Sequence, residues 1–147
     1  MTALFVVAIL AGLGLLHGLW ALRGPVDSDR IIPRRTRVDP SSGERLHVAA
    51  FVPSPGATGL VAAALIGAAA LVAMRAGWLG DAASSHGMVR AAVVGIAVVF
   101  LARAVGDFEL VGFFKARNGS AFARWDTWLY SPLCVVLAAA TASVAWR

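Results

Sequence analysis

Arg103 and Asp107 stand four residues apart, with Glu109 two positions further on, inside the otherwise apolar stretch LARAVGDFELVGFF. On a helix, positions i and i+4 share a face, so this guanidinium and carboxylate can pair. Downstream, Asp126, Tyr130 and Ser131 supply a carboxyl, a phenol and a hydroxyl, and near the N-terminus His17 and Trp20 supply an imidazole and an indole. Such groups can move protons, with Asp107 or His17 as acid or base, while basic side chains hold an anion such as phosphate. Arg34, Arg35, Arg37, Lys115 and Arg124 are the candidates for contacts with anionic headgroups.

The elements that position these residues follow from where charge is missing. Of 147 residues, 59% are hydrophobic and 14% are charged, against roughly a quarter charged in an ordinary soluble domain. Thr2 to Leu22, Leu46 to Met74, Ala91 to Ala102 and Thr127 to Trp146 contain no Asp, Glu, Lys or Arg. A helix needs about 20 mostly apolar residues to cross roughly 30 Å of hydrocarbon. The expected fold is all-α, a single domain over 1–147 forming a transmembrane four-helix antiparallel bundle. Its helices are expected at about 3–22, 56–76, 88–117 and 121–146. Arg23-Gly24-Pro25 stops the first helix. The second is rich in Ala and Gly, which suits close helix packing in lipid. Asn118-Gly119-Ser120 closes the third helix and caps the fourth. The first loop is long and proline-punctuated. Its turn signal Asp39-Pro40-Ser41-Ser42-Gly43 lies between Thr36-Arg37-Val38 and the alternating Arg45-Leu46-His47-Val48, which predicts a short β-hairpin lying over the membrane surface.

If the last two helices turn back at Gly119, residues equidistant from the turn lie at equal depth. Thr127–Trp146 then maps onto about 92–111, so the third helix carries Arg103, Asp107 and Glu109 into the membrane region. At 1.5 Å per residue, Arg103 would lie roughly 12 Å inside the boundary. A charge at mid-helix costs about 2.5 to 3.5 kcal/mol on insertion scales, so ionisable residues there are functional candidates by default. His17, Trp20, Arg103, Asp107, Glu109, Asp126, Tyr130 and Ser131 are therefore grouped as one polar layer under a lid made by the first loop.

Plainer roles stand beside these. Arg103–Asp107 can be a structural pair locking two helices. Asp126, Arg124 and Lys115 read as solvated or headgroup-level charges. Trp20, Trp125, Trp128 and Tyr130 read as interface aromatics on one side, and Trp78 and Trp146 on the other. His17 and Cys134 read as packing residues. His47 and His86 are too scattered for a metal site, and one cysteine allows neither an internal disulfide nor a cysteine metal site. No metal and no cofactor are expected. The formal charge is +5, carried by twelve arginines and one lysine. In a chain this apolar the basic balance points to topology and anionic lipid, not to nucleic acid. Arginines concentrate in the first loop, and Lys115, Arg117 and Arg124 in the third. The positive-inside rule puts both loops in the cytoplasm and both termini outside. Arginine in place of lysine, with abundant alanine, suits a GC-rich genome, and the expected location is a bacterial plasma (inner) membrane.

Gly106-Asp107-Phe108, Val111-Gly112-Phe113-Phe114-Lys115, Phe122-Ala123-Arg124-Trp125-Asp126-Thr127 and Tyr130-Ser131-Pro132-Leu133-Cys134 resemble the signature of the bacterial domain of unknown function 3995 family, small four-pass membrane proteins. His17, Trp20-Ala21-Leu22 and Gly24 are similar to its first-helix pattern, while the first loop is richer in arginine. The resemblance implies a four-pass fold and a membrane location and marks Asp107, Asp126 and Tyr130; it implies no activity. The chain contains no Gly-rich phosphate loop, nucleophile elbow or haem-attachment motif. The first expectation is a non-enzymatic module binding a lipid or partner helices, with membrane lipids, a second copy or another membrane protein as partners. A small membrane enzyme acting on a lipid or isoprenoid head group is the alternative, and an oligomeric small transporter the second.

Overall fold

The computed structural model describes residues 1–25, 27–116 and 119–147, with the side chains of residues 82 and 83 not described. Arg117 and Asn118, invoked above for topology and for the third turn, lie outside the described residues. The chain runs α1 (Thr2–Arg23), α2 (Ser28–Ile31), β1 (Arg34–Val38), β2 (Arg45–Ala49), α3 (Pro55–Arg75), α4 (Asp81–Ser84), α5 (Gly87–Val105), α6 (Ala121–Trp125), a π-helical turn (Asp126–Tyr130) and α7 (Ser131–Ala145). Four helical stretches, α1, α3, α5 and α6 through α7, are long and apolar enough to cross a membrane. The chain is an all-α bundle with a small two-stranded sheet, as the charge-free stretches predict.

Helix ends follow the local chemistry. Gly24, at φ 82°, closes α1 with its amide on the Trp20 carbonyl. Ser54 Oγ accepts the Ala57 amide at 3.1 Å and caps α3, and Ser120 Oγ accepts the Ala123 amide at 3.2 Å and caps α6. β1 and β2 pair antiparallel in the register Arg34↔Ala49, Thr36↔His47, Val38↔Arg45. This is the hairpin expected from the Asp39–Gly43 turn, where Asp39 Oδ1 accepts the Ser41 amide at 2.8 Å.

α1 packs along α3 and α5 along α7, and α1–α7 and α3–α5 contacts join the two pairs. The centre is Val6, Leu10, Ala69, Val72, Val93, Leu137, Val144 and Ala145. Outside it, large apolar side chains such as Leu4, Leu15, Leu60, Val98 and Val99 are exposed. A helix apolar on every side needs an apolar solvent, and monomeric soluble proteins rarely carry apolar patches beyond a few hundred Å². The protein is accordingly a multi-pass membrane protein. The hairpin and the 106–120 loop meet at one end through an Arg35–Glu109 ion pair. The termini meet at the other, where Arg147 Nη2 lies 3.4 Å from Thr2 Oγ1. On that second end Arg90 stacks over exposed Trp146 at 4.1 Å, as suits an interface aromatic.

The expected extent of the third helix needs correction. The third does not run to 117: it ends at Val105, because Gly106 at φ 93°, ψ −171° reverses the chain. That backbone region is essentially closed to residues with a Cβ. The segment 106–116 folds back on the helix end, with Phe113 N donating to Ala104 O at 2.8 Å. The apolar run Leu110–Phe114 is thus a loop and not a helix continuation. The fourth runs from Ala121 to Ala145 as expected, with a π turn inside it. Ser131 N bonds Asp126 O across a π turn, just before Pro132, which has no amide to give to the ladder.

Candidate functional site

Asp126, read from sequence as solvated, is completely buried. Its Oδ1 accepts from Arg103 Nη2 at 2.7 Å. Its Oδ2 accepts the Gly112 amide at 2.8 Å, lies 2.9 Å from Lys115 Nζ, and has Ser131 Oγ at 3.4 Å. Lys115, expected at the headgroups, is also buried, donating to Gly112 O at 2.8 Å and to Thr127 Oγ1 at 2.7 Å. One carboxylate therefore joins α5, the reversed loop and the π turn of the last helix. The π turn matters because an extra residue in the turn re-aims neighbouring side chains at such points. Buried charge survives only when paired and hydrogen-bonded, and both conditions are met here.

The Arg103–Asp107 pair does not form; Arg103 is committed to Asp126. Asp107 is exposed and uses Oδ1 to accept the amides of Glu109, Leu110 and Val111 at 3.0, 2.7 and 3.0 Å. It is a loop clamp rather than an acid or base in the polar layer. Partial burial pushes its carboxyl up, but the amides of Leu110, Val111 and Glu109 together outweigh that and hold it below the usual carboxylate range. A depressed folded-state pKa contributes stability that is present above the unfolded value, about 3.9, and is lost as pH falls through the folded value. Asp107→Asn is therefore expected to lower the melting temperature at pH 7, with the gap to wild type closing as pH falls below about 4. A gap that stays constant across the titration would remove this role for the charge.

Glu109 is exposed and pairs with Arg35 at 3.2 Å. Tyr130 Oη donates to the Arg30 carbonyl at 3.3 Å, tying the first loop to the last helix. Arg30 lies 5.6 Å over Trp125 in the same tie. The lid over the helix ends is thus present, but Asp107 and Glu109 stand outside the buried layer. Arg124 is exposed on the Gly119 carbonyl at 3.2 Å. Arg37 is exposed on the hairpin, and its side chain makes no hydrogen bond or ion pair among the described residues.

Beneath the lid is a cavity of about 430 Å³. Its walls are mostly apolar: Trp20 from α1, Ile32 and Pro33 from the first loop, Phe51, Val61 from α3, and Val111 and Phe122. His17, Thr58 and Arg103 are the polar lining groups. His17 Nδ1 sits 2.8 Å from the Leu13 carbonyl, so in the neutral ring Nδ1 carries the proton and Nε2 is left as an acceptor. Arg103 Nη1 is buried with no hydrogen-bond partner. Thus His17, Trp20 and Arg103 do converge, while Arg103, Asp126 and Ser131 form the adjoining buried knot. A second, open basin of about 730 Å³ lies between the hairpin and the 109–116 segment, lined by Arg34, Arg35, Thr36, Arg45, His47, Glu109, Leu110 and Ala116. Sequence reasoning missed Lys115 as a buried cation, the α3 wall of the cavity, and Arg45 and His47 as basin groups. For the last two a signal existed: spaced i, i+2 on a predicted strand, they must share a face.

A bundle of four membrane-length helices, lidded at one end by a loop hairpin and locked there by a buried carboxylate, defines a class of small four-pass membrane proteins. Within that class, the chain belongs to the family described as protein of unknown function (DUF3995), whose model matches residues 10–141. No curated protein and no solved structure matches it. The match spans both the first-helix residues and the second-half motifs on which the resemblance rests.

Proposed function

We propose that this protein is a non-enzymatic lipid-binding module of a bacterial plasma membrane, with the loop 24–54 and the loop 106–120 at the cytoplasmic face and both termini outside. The orientation rests on arginine counting. The binding reading rests chiefly on one observation: the Arg103 side chain, part-exposed beside its ion pair with Asp126, lines an otherwise mostly apolar cavity. Apolar walls with a few convergent polar groups are the usual make-up of a small-molecule site. Here the walls favour a hydrocarbon chain; for its polar end Arg103 offers donors, while His17 Nε2 and Thr58 Oγ1, whose proton goes to the Ser54 carbonyl, offer acceptors.

Val61 lines the cavity and is 45% exposed, so a larger side chain there fills the cavity without rebuilding the core. Val61→Trp is expected to cut the lipid that co-purifies with the protein, measured by mass spectrometry of the extract, while the melting temperature stays near wild type. A stable Val61→Trp protein that keeps its full lipid complement would overturn the reading.

A further inference from the structure

The strand register places four of the basin's hairpin side chains on one face, and Arg35 reaches the basin from the other. Directly paired residues point to the same face, and the face alternates along each strand. Thr36↔His47 and Val38↔Arg45 therefore put His47 and Arg45 on the face that also carries Arg34 and Thr36, and all four line the basin. Their commitments differ. Arg34 is ion-paired with Asp29 and donates to the His47 carbonyl, and Arg35 is held by Glu109. Arg45 and the side chains of Thr36 and His47 make no hydrogen bond or ion pair among the described residues. The basin thus presents a guanidinium, a hydroxyl and an imidazole whose donors are unspent, with Glu109 the one carboxylate in its lining among the described residues. Guanidinium forks with additional donors suit a multi-oxygen anion such as phosphate.

The basin is also adjacent to the cavity. Pro33 and Val111 line the cavity, while their chain neighbours Arg34 and Leu110 line the basin. Exposed Phe113 and Phe114 border this loop, as suits a surface at the lipid boundary. Headgroup and chain of one lipid are covalently joined, and these two volumes lie one residue apart along both segments. Building on the lipid-binding reading above, we propose that the hairpin basin is the phosphate subsite for an anionic phospholipid whose chain occupies the His17–Trp20 cavity. Among the described residues, Arg45 is its uncompensated cation.

The test uses the full-length protein in mixed micelles, with phosphatidylglycerol and phosphatidylcholine competing for retention in native mass spectrometry. Wild type is expected to prefer the anionic lipid. Arg45→Gln is expected to reduce that preference about fivefold, the worth of one basic residue at a membrane surface. Arg37→Gln removes the same charge from a hairpin residue that does not line the basin and is expected to leave the preference intact. Equal losses in both variants would mean diffuse surface charge and overturn the subsite. Displacement of the lipid by millimolar inorganic phosphate would identify a soluble anion as the ligand and overturn the lipid assignment. If Val61→Trp keeps total lipid while Arg45→Gln still abolishes the preference, the cavity reading fails and the phosphate subsite stands.

Discussion

Asp126→Asn should lower the melting temperature in detergent by on the order of 10 °C, the equivalent of about 3–5 kcal/mol for breaking a buried pair. The reason lies in what remains. Lys115 Nζ keeps Gly112 O and Thr127 Oγ1, but an ammonium that is almost wholly buried loses the carboxylate that neutralises it. The Gly112 amide and Arg103 Nη2 lose an ionised acceptor at the same moment. Lys115→Met alone should cost less, because Asp126 retains Arg103. Adding Lys115→Met to Asp126→Asn should recover part of the loss, since the uncompensated ammonium is gone; the two effects are coupled through one contact and are not additive. A single Asp126→Asn protein melting within a degree or two of wild type would show that the knot contributes nothing measurable.

Gly106→Ala should be comparably damaging, at about 3 kcal/mol or more. The position sits at φ 93°, ψ −171°, and a Cβ there would overlap the Val111 carbonyl oxygen and stand 2.7 Å from Gly112 Cα. These are backbone atoms with no rotamer to yield. Displacing them moves the segment that brings the Gly112 amide and Lys115 to Asp126, so the lesion spreads into the buried knot. A methyl group added at Gly95, in the same helix, would meet nothing within 4 Å, and Gly95→Ala should be neutral or slightly stabilising, because alanine is the better helix former. Equal melting temperatures for the two variants would contradict the close approach of the chain at Gly106.

By itself the sequence determined the membrane character, the four helices long and apolar enough to cross, the hairpin and most helix ends. All of these depend on neighbours in the chain. Charge-free runs fix span length, Ser54 and Ser120 act on amides three residues away, and Asp39 acts on an amide two residues away. The tertiary structure decided the partners of the charges. At i+4, Arg103 and Asp107 satisfy every local rule for a pair, yet the helix ends between them at Gly106, and a turn there abolishes the shared face. Arg103 instead reaches Asp126, 23 residues on. Lys115 and Asp126 look like surface residues because their flanks, Lys115-Ala116 and Arg124-Trp125-Asp126, are what an interface contains. Only the fold-back of 106–116 onto the π turn of the last helix removes both from solvent. Burial of a charge is set by whatever packs over it, and that information lies in contacts between segments that local patterning does not encode.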